Sequence, residues 1–311
     1  MIKKRFAVID IGTLKVKFQI VEVGHSNDLK IIQQSNTLTC LGVRMEENGN
    51  KPWPEYLKQT IEELHRCKKL MEQENVERMR IVSTHALREM GKIGKEIALQ
   101  IKDEVGISVE IISQQEEAEL FYKAVLRDFS TDDNFTVVDI GGGSVQILIG
   151  NKNKLIKSFL LKCGAQLLFD RFSPRHTGND FPTRSEIRKM ERYIMEQLSP
   201  IPANIKTPVV YGSSVIIDLF QTIGLKMENF GLSNAHPYKT NVSEIKRFLD
   251  RIIPIPYDQR EEQYKFPQKY YMWGIDKAFL NVFKICKKVD APYIIPSNAN
   301  INQGLLLSLT S

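Results

Sequence analysis

Val137-Val138-Asp139-Ile140-Gly141-Gly142-Gly143-Ser144 is the stretch from which the rest of this chain is read. Its β-branched residues drive a buried strand up to a single acid, and three glycines then leave the backbone bare. Without Cβ atoms such a turn can tighten and bring N–H groups against an anion. The acid at the strand end can hold a metal ion or orient water beside that anion. Asp and Gly after a strand also make ordinary hairpin turns. The anion reading gains weight from an echo, because Ala7-Val8-Ile9-Asp10-Ile11-Gly12-Thr13 repeats the strand, acid and glycine design. Two such turns predict two similar halves facing each other across a cleft.

At 311 residues the chain is long enough for about two domains. Its 42% hydrophobic and 26% charged residues are ordinary for a globular protein. No apolar run approaches the ~20 residues that span a bilayer, so no membrane partner is expected. The basic start Met1-Ile2-Lys3-Lys4-Arg5 looks like the opening of a signal peptide, but Asp10, Lys15 and Lys17 interrupt the apolar stretch that should follow. Four scattered cysteines, Cys40, Cys67, Cys163 and Cys286, make no C-x-x-C pair. Both features point to a reducing cytoplasm. The five histidines form no H-x-x-x-H array, which argues against zinc. A net charge of +6 favours anionic partners. With no aromatic-basic cluster or helix-turn-helix signal, nucleic acid is not expected, and phosphate-rich ligands are.

Along the chain, Phe6 to Ile9 reads as a strand and the alternating Lys15-Val16-Lys17-Phe18-Gln19-Ile20 as a second, half-buried one. Gly24 to Asp28 turns the chain into a third, Leu29 to Ile32. Pro54 suits a helix first turn, and Leu57, Ile61, Leu64 and Met71 keep a helical period to about Glu74. A strand at Arg80 to Thr84 runs into His85-Ala86-Leu87-Arg88, and a helix with Ile97, Ile101 and Val105 on one face stops at Gly106. A strand at Ser108 to Ile112 leads to a helix opened by Ser113, whose spacing to Glu116 predicts a capping box. Glu117, in the same first turn, also suits the helix dipole.

The polar segment Asp128 to Asn134 reads as the domain boundary. Three strands then repeat the opening: Phe135 to Asp139, Val145 to Ile149 and Leu155 to Leu161. Aligning the halves on their acids sets Lys17 opposite Gln146, each seven residues after its Asp. Thr183 and Glu186 form another capping box ahead of a helix striped with Ile187, Met190, Ile194 and Leu198. A strand at Pro208 to Tyr211 enters Gly212-Ser213-Ser214, and a helix follows from Val215. Asn241 to Lys288 reads as mostly helical, and a strand at Tyr293 to Ile295 with a helix near Gln303 to Leu309 closes the chain.

Three antiparallel strands followed by alternating helices and strands, twice over, resemble the RNase H-like layout of the actin, hexokinase and heat-shock ATPase superfamily. The expected architecture is α/β, with two such domains: residues 1–127, joined by a returning helix at 302–311, and residues 128–301. Within that group the chain resembles the exopolyphosphatase / guanosine pentaphosphate phosphohydrolase family. The resemblance is carried in order by Val8-Ile9-Asp10-Ile11-Gly12, Ser83-Thr84-His85-Ala86-Leu87-Arg88, Ile111-Ile112-Ser113-Gln114-Gln115-Glu116-Glu117-Ala118, Val137 to Ser144, Gly164 with Arg171-Phe172, and Gly304-Leu305-Leu306.

The resemblance implies Mg²⁺-assisted hydrolysis of a terminal phosphoanhydride, of polyphosphate or of guanosine pentaphosphate. A homodimer is the default expectation for a chain of this kind. It makes Glu117 the base that activates water, and Asp139 and Asp10 the catalytic acids that hold Mg²⁺. Backbone N–H groups of Gly12, Thr13 and Gly141, Gly142, Gly143, Ser144 would cradle phosphate, helped by Lys15, Lys17, Arg88 and the loop Gly212, Ser213, Ser214. Arg88 also suits a plain salt bridge. The departures are equally specific. The family's Gly-Ser-Asn-Ser is here Gly12-Thr13-Leu14-Lys15, and its Ser-Thr-Glu is Ser144-Val145-Gln146, with an amide at the expected acidic position. The Ser-Asp-x-x-x-Arg-Glu-Gly near the C-terminus becomes Ser297-Asn298-Ala299-Asn300-Ile301-Asn302-Gln303-Gly304. Losing acids weakens metal binding, so a second expectation is a weakened relative that senses polyphosphate or an alarmone. The absence of an appended helical domain after Ser311 tilts the substrate toward short polyphosphate or the guanosine compound. A sugar or acetate kinase would need an adenosine loop that does not show.

Overall fold

The computed structural model describes residues 4–24, 29–127, 133–231, 236–267 and 271–310. The chain divides into two compact units, Met1–Ala124 with Ile301–Ser311, and Val125–Asn300. Of the turn read at Gly24 to Asp28 and the boundary segment read at Asp128 to Asn134, only Gly24, Asp133 and Asn134 lie within the described residues.

The first unit builds a sheet from β1 (Lys4–Ile11), β2 (Lys15–Val23), β3 (Leu29–Leu38), β4 (Arg78–Ser83) and β5 (Glu110–Ile111), in the order β3-β2-β1-β4-β5. β1, β2 and β3 are antiparallel neighbours, and β4 and β5 run parallel to β1. β3 extends six residues past its expected end at Ile32, because it pairs along β2 as far as Lys15 opposite Leu38. As an edge strand it carries the polar run Gln33 to Thr37, which hides it from a hydrophobic pattern. Helices α1 (Pro54–Gln73), α2 (His85–Glu89), α3 (Lys92–Val105) and α4 (Gln114–Leu126) follow their strands. Pro54 opens α1 where its missing N–H is harmless. Leu64 and Cys67 of α1 and Ile97 and Ile101 of α3 pack with Ile9, Ile11 and Phe18 in one core. Ser113 Oγ accepts from Glu116 N at 3.1 Å at the start of α4, but the Glu116 carboxylate turns to Arg80, so the expected capping box is only half formed.

The second unit repeats the plan with β6 (Phe135–Ile140), β7 (Val145–Asn151), β8 (Lys154–Leu161), β9 (Val209–Gly212) and, after the short hairpin of β10 (Glu228–Asn229) and β11 (Tyr238–Lys239), β12 (Ile294–Ser297). Its order, β12-β9-β6-β7-β8, is that of the first sheet read from the other edge. Between these strands lie α5 (Ala165–Phe172), α6 (Arg184–Gln197), α7 (Ile216–Thr222), α8 (Val242–Ile252), α9 (Tyr257–Tyr264) and α10 (Tyr271–Val289). α6 has the expected capping box, with Thr183 Oγ1 accepting from Glu186 N at 3.2 Å and Glu186 Oε2 from Thr183 N at 2.7 Å. α5 escaped the sequence reading because it is short and buries only Leu168. α11 (Ile301–Thr310) then joins the first unit, where Leu305 and Leu306 pack with Phe6, Val8 and Leu120 on the sheet face opposite α1. A Cβ on Gly304 would stand 2.1 Å from Leu120 O, so only glycine lets α11 come this close to α4. Among the described residues no helix is long and apolar enough to cross a membrane.

The core of the second unit holds a charged cluster that no sequence pattern announced. Arg260, Asp276 and Lys277 are at most 2% exposed. Arg260 Nη1 lies 3.1 Å from Asp276 Oδ1, and Lys277 Nζ donates to Asp276 Oδ2 and to Tyr257 Oη, each at 3.0 Å. Burial pushes the Lys277 ammonium down to about 8, against the pull of the Asp276 carboxylate. One carboxylate thus balances two buried cations. Asp276→Asn leaves both uncompensated and is expected to cost about 3–5 kcal/mol, read as a lower midpoint in urea unfolding.

Candidate active site

In the first unit the candidate residues gather at the C-terminal ends of β1, β4 and β5. Asp10 pairs with Lys17 across the antiparallel ladder, which puts both side chains on one face. That face is the one shared with Phe6 and Val8, under α11. Lys17 Nζ donates to Asp10 Oδ2 at 3.2 Å, and Thr84 Oγ1 lies 3.4 Å from Oδ1. Lys17, expected on phosphate, therefore begins on the acid, and Asp10, expected on metal, begins with a cation. The Gly12 N–H, expected in the cradle, closes its own turn by donating to Lys15 O at 2.9 Å. Thr13 O accepts from Gly42 N at 2.9 Å and Leu14 O from Cys40 N at 3.0 Å. The Thr13 hydroxyl lies 3.4 Å from His85 Nδ1.

Arg88, in α2, and Glu117, in the first turn of α4, meet directly. Arg88 Nη1 donates to Glu117 Oε2 at 2.8 Å and to Ile112 O at 3.2 Å. Glu117 is 8% exposed. The salt bridge left open for Arg88 thus exists, and its partner is the residue expected to act as base. Arg88 Nη2 is buried and has no hydrogen-bond partner among the described residues. One arm of the guanidinium orients the carboxylate, and the other is buried without a hydrogen bond.

The second unit repeats this geometry. Asp139 pairs across the ladder with Gln146, the counterpart of the Asp10–Lys17 pair. Gly141 N–H donates to Ser144 O at 2.9 Å, five residues after the acid, as Lys15 is in the first turn. Gly141 is thereby removed from the donors expected to cradle phosphate. The carbonyls of the turn are held from one side by the start of α5: Ala165 N donates to Gly141 O at 3.0 Å, Leu167 N to Gly142 O at 2.9 Å and Gly164 N to Gly143 O at 3.2 Å. In a trans peptide the N–H points opposite to its C=O. Tying those three carbonyls to α5 therefore turns the N–H groups of Gly142, Gly143 and Ser144 away from the helix. Among the described residues these three donors meet no backbone acceptor. Gly164 permits the docking, since a Cβ there would lie 2.3 Å from Gly142 O, whereas at Gly141 it would only touch Ser144 O at 3.4 Å. Gly164 is thus the more constrained of these two glycines, although it lies outside the glycine run.

Parallel pairing sets Gly212 level with Asp139, and Ser297 level with Gly212, so the loops after β6, β9 and β12 end together. This carboxyl end is where open α/β sheets receive ligands. Burial pushes the Tyr271 phenol up to about 12, opposed by a hydrogen bond with Ser213 and reinforced by the Asp139 charge. Asn298 Oδ1 accepts from Ile217 N at 2.9 Å, which makes this amide a support for the start of α7. Gln146 is 3% exposed, and neither Nε2 nor Oε1 has a hydrogen-bond partner among the described residues.

A repeated acid-glycine turn at the carboxyl end of two like-ordered sheets defines an α/β phosphate-handling protein of two related units. The profile described as the Ppx/GppA phosphatase family matches residues 19–271, and the chain belongs to that family. Exopolyphosphatase 2 of Mycobacterium tuberculosis is 28% identical over 270 residues, covering 82% of each chain. The crystal structure of an Aquifex aeolicus member of the Ppx/GppA family aligns with a TM-score of 0.78 at 24% identity, over 99% of this chain and 98% of its own. An exopolyphosphatase from Cytophaga hutchinsonii aligns with a TM-score of 0.84 at 22% identity, over 98% and 97%. These likenesses bear out the two-unit α/β fold.

Among the described residues no three His, Cys, Asp or Glu side chains lie close enough together to hold a metal ion. Mg²⁺ bound with phosphate needs only one or two carboxylates, its remaining ligands being phosphate oxygens and water. Asp139 beside the outward N–H groups fits that donor set. Asp10 has Lys17 and Thr84 on its oxygens.

Thr84 and the α5 docking are the contacts that sequence reasoning missed. Thr84 stood unremarked inside a quoted motif, and the only sign of α5 docking was Gly164 ahead of a short amphipathic run. Gly164→Ala should push α5 off the turn and weaken binding of inorganic phosphate at least tenfold by calorimetry. Unchanged affinity would mean that α5 does not set the direction of the N–H groups.

Proposed function

We propose that this chain removes the terminal phosphate from inorganic polyphosphate or guanosine pentaphosphate by transfer to water. The observation that carries the reading is the turn at Gly141 to Ser144, whose N–H groups at Gly142, Gly143 and Ser144 are aimed away from α5 beside Asp139. Phosphoryl transfer depends on positioning and on neutralising charge, and fixed backbone dipoles supply both without reorganising. The name of the M. tuberculosis relative favours polyphosphate.

In this reading Glu117 accepts the proton of the attacking water. Arg88 Nη1 holds its carboxylate in one orientation, and Nη2 takes a phosphate oxygen. Lys17 shares its charge between Asp10 and the incoming polyanion. The loop Gly212 to Ser214 adds hydroxyl donors level with Asp139. When bound, Mg²⁺ supplies further neutralisation of phosphate oxygens, with Asp139 as its protein ligand.

A second reading, a sensor that binds without turnover, is favoured by the neutral Gln146 and by the Lys17–Asp10 pair, which together leave few charges for a metal. Phosphate release from polyphosphate and from guanosine pentaphosphate, with and without Mg²⁺, separates the two. Hydrolysis is expected, and Glu117→Gln should lower kcat by about 10²- to 10⁴-fold with substrate binding retained. Tight binding with no release in the wild-type protein would establish the sensor instead.

A further inference from the structure

Gln146 combines properties that a packing residue would not. It sits inside β7, 3% exposed, with both amide atoms lacking a partner among the described residues. A buried amide left without hydrogen bonds costs several kilocalories per mole, so an uncompensated one calls for an occupant. Its side chain is on the face of Asp139, its direct cross-strand partner, and the turn carrying the Gly142, Gly143 and Ser144 N–H groups joins those two strands. α5 packs through Leu168 with Val145 and Ile147, on the other face of β7, so N–H groups turned away from α5 are directed to the face that carries Gln146. The second unit brings the carboxylate of Asp139 to this face. An acid at 146 would set two anions against each other across one rung of the ladder, where opposing side chains are about 5 Å apart, and would repel a polyanion.

We propose that Gln146 is a phosphate-binding residue that lets this site hold the end of a polyphosphate without a divalent cation, Nε2 donating to a phosphate oxygen and Oε1 accepting from the water that accompanies it. The proposal deepens the phosphohydrolase reading and rests on the Gly141–Ser144 turn as the phosphate site. Metal, when present, then serves the reaction at Asp139 and not the capture of substrate.

Tripolyphosphate titrated into the full chain by calorimetry, in EDTA and then in Mg²⁺, tests this. The wild-type protein should bind in EDTA, with affinity improved by no more than about threefold in Mg²⁺. Gln146→Met, close in volume and without hydrogen-bonding atoms, should weaken binding in EDTA about tenfold, the loss of one hydrogen bond to a charged group. Gln146→Glu should bind at least as weakly in EDTA and recover in Mg²⁺. Circular dichroism melts show whether each variant is folded, and Gln146→Met keeps the test decisive if the buried glutamate unfolds the chain. Wild-type binding that requires Mg²⁺, or a folded Gln146→Met that binds as well as wild type in EDTA, overturns the proposal. Phosphate release is scored separately: metal-free binding with no turnover even in Mg²⁺ refutes the hydrolase reading and leaves the role of Gln146 standing, while no binding under either condition refutes both.

Discussion

Everything proposed for this protein depends on three hydrogen bonds that do not touch the candidate ligand. The first N–H groups of α5, from Gly164, Ala165 and Leu167, are spent on the carbonyls of Gly143, Gly141 and Gly142. A glycine run is flexible by itself, and its amides would point in many directions. Fixing the carbonyl side of each peptide fixes the N–H side, and the donors lose their freedom before any anion arrives. The first unit uses a loop for the same purpose, with Gly42 and Cys40 holding the carbonyls of Thr13 and Leu14.

The charges at the candidate site are arranged in pairs. Asp10 holds Lys17, and Glu117 holds Arg88, in each case within hydrogen-bonding distance and largely out of solvent. A polyanion approaching either cation competes with a carboxylate, and the outcome decides what that carboxylate is then ready to do. Arg88 avoids an all-or-none exchange, because its second amino group is not engaged by Glu117. In the Asp139–Gln146 rung the residue opposite the acid is neutral. Its neutral member neither balances nor repels charge, and it offers hydrogen bonds alone.

Much of this was legible before any coordinates. The seven-residue spacing from each acid to Lys17 and Gln146 gave the equivalence of the halves, and the ladders confirm it, with Asp10 opposite Lys17 and Asp139 opposite Gln146. Helices with a clear buried stripe were found, α6 near both its observed limits and α3 at its stop before Gly106. β3 was hidden by its polar edge, and α5 by its length of eight residues with one of them buried. Asn298 looked like a lost charge and proved to be a backbone support, because a side chain's partner 81 positions away leaves no mark in its own neighbourhood.

The sequence by itself determined the repeated strand, acid and glycine turn, the membership in a phosphate-handling family and the identity of the residues at each turn. These are local properties, set by β-branched runs, by glycine and by spacing along the chain. Only the tertiary structure decided which way the turn amides point, which acids already hold a cation, and that Gly164 is held to glycine more tightly than Gly141. Those outcomes depend on which distant carbonyl, amide or carboxylate packing brings within 3 Å or so, and hydrogen bonds over that range are too directional to be foreseen from residue type.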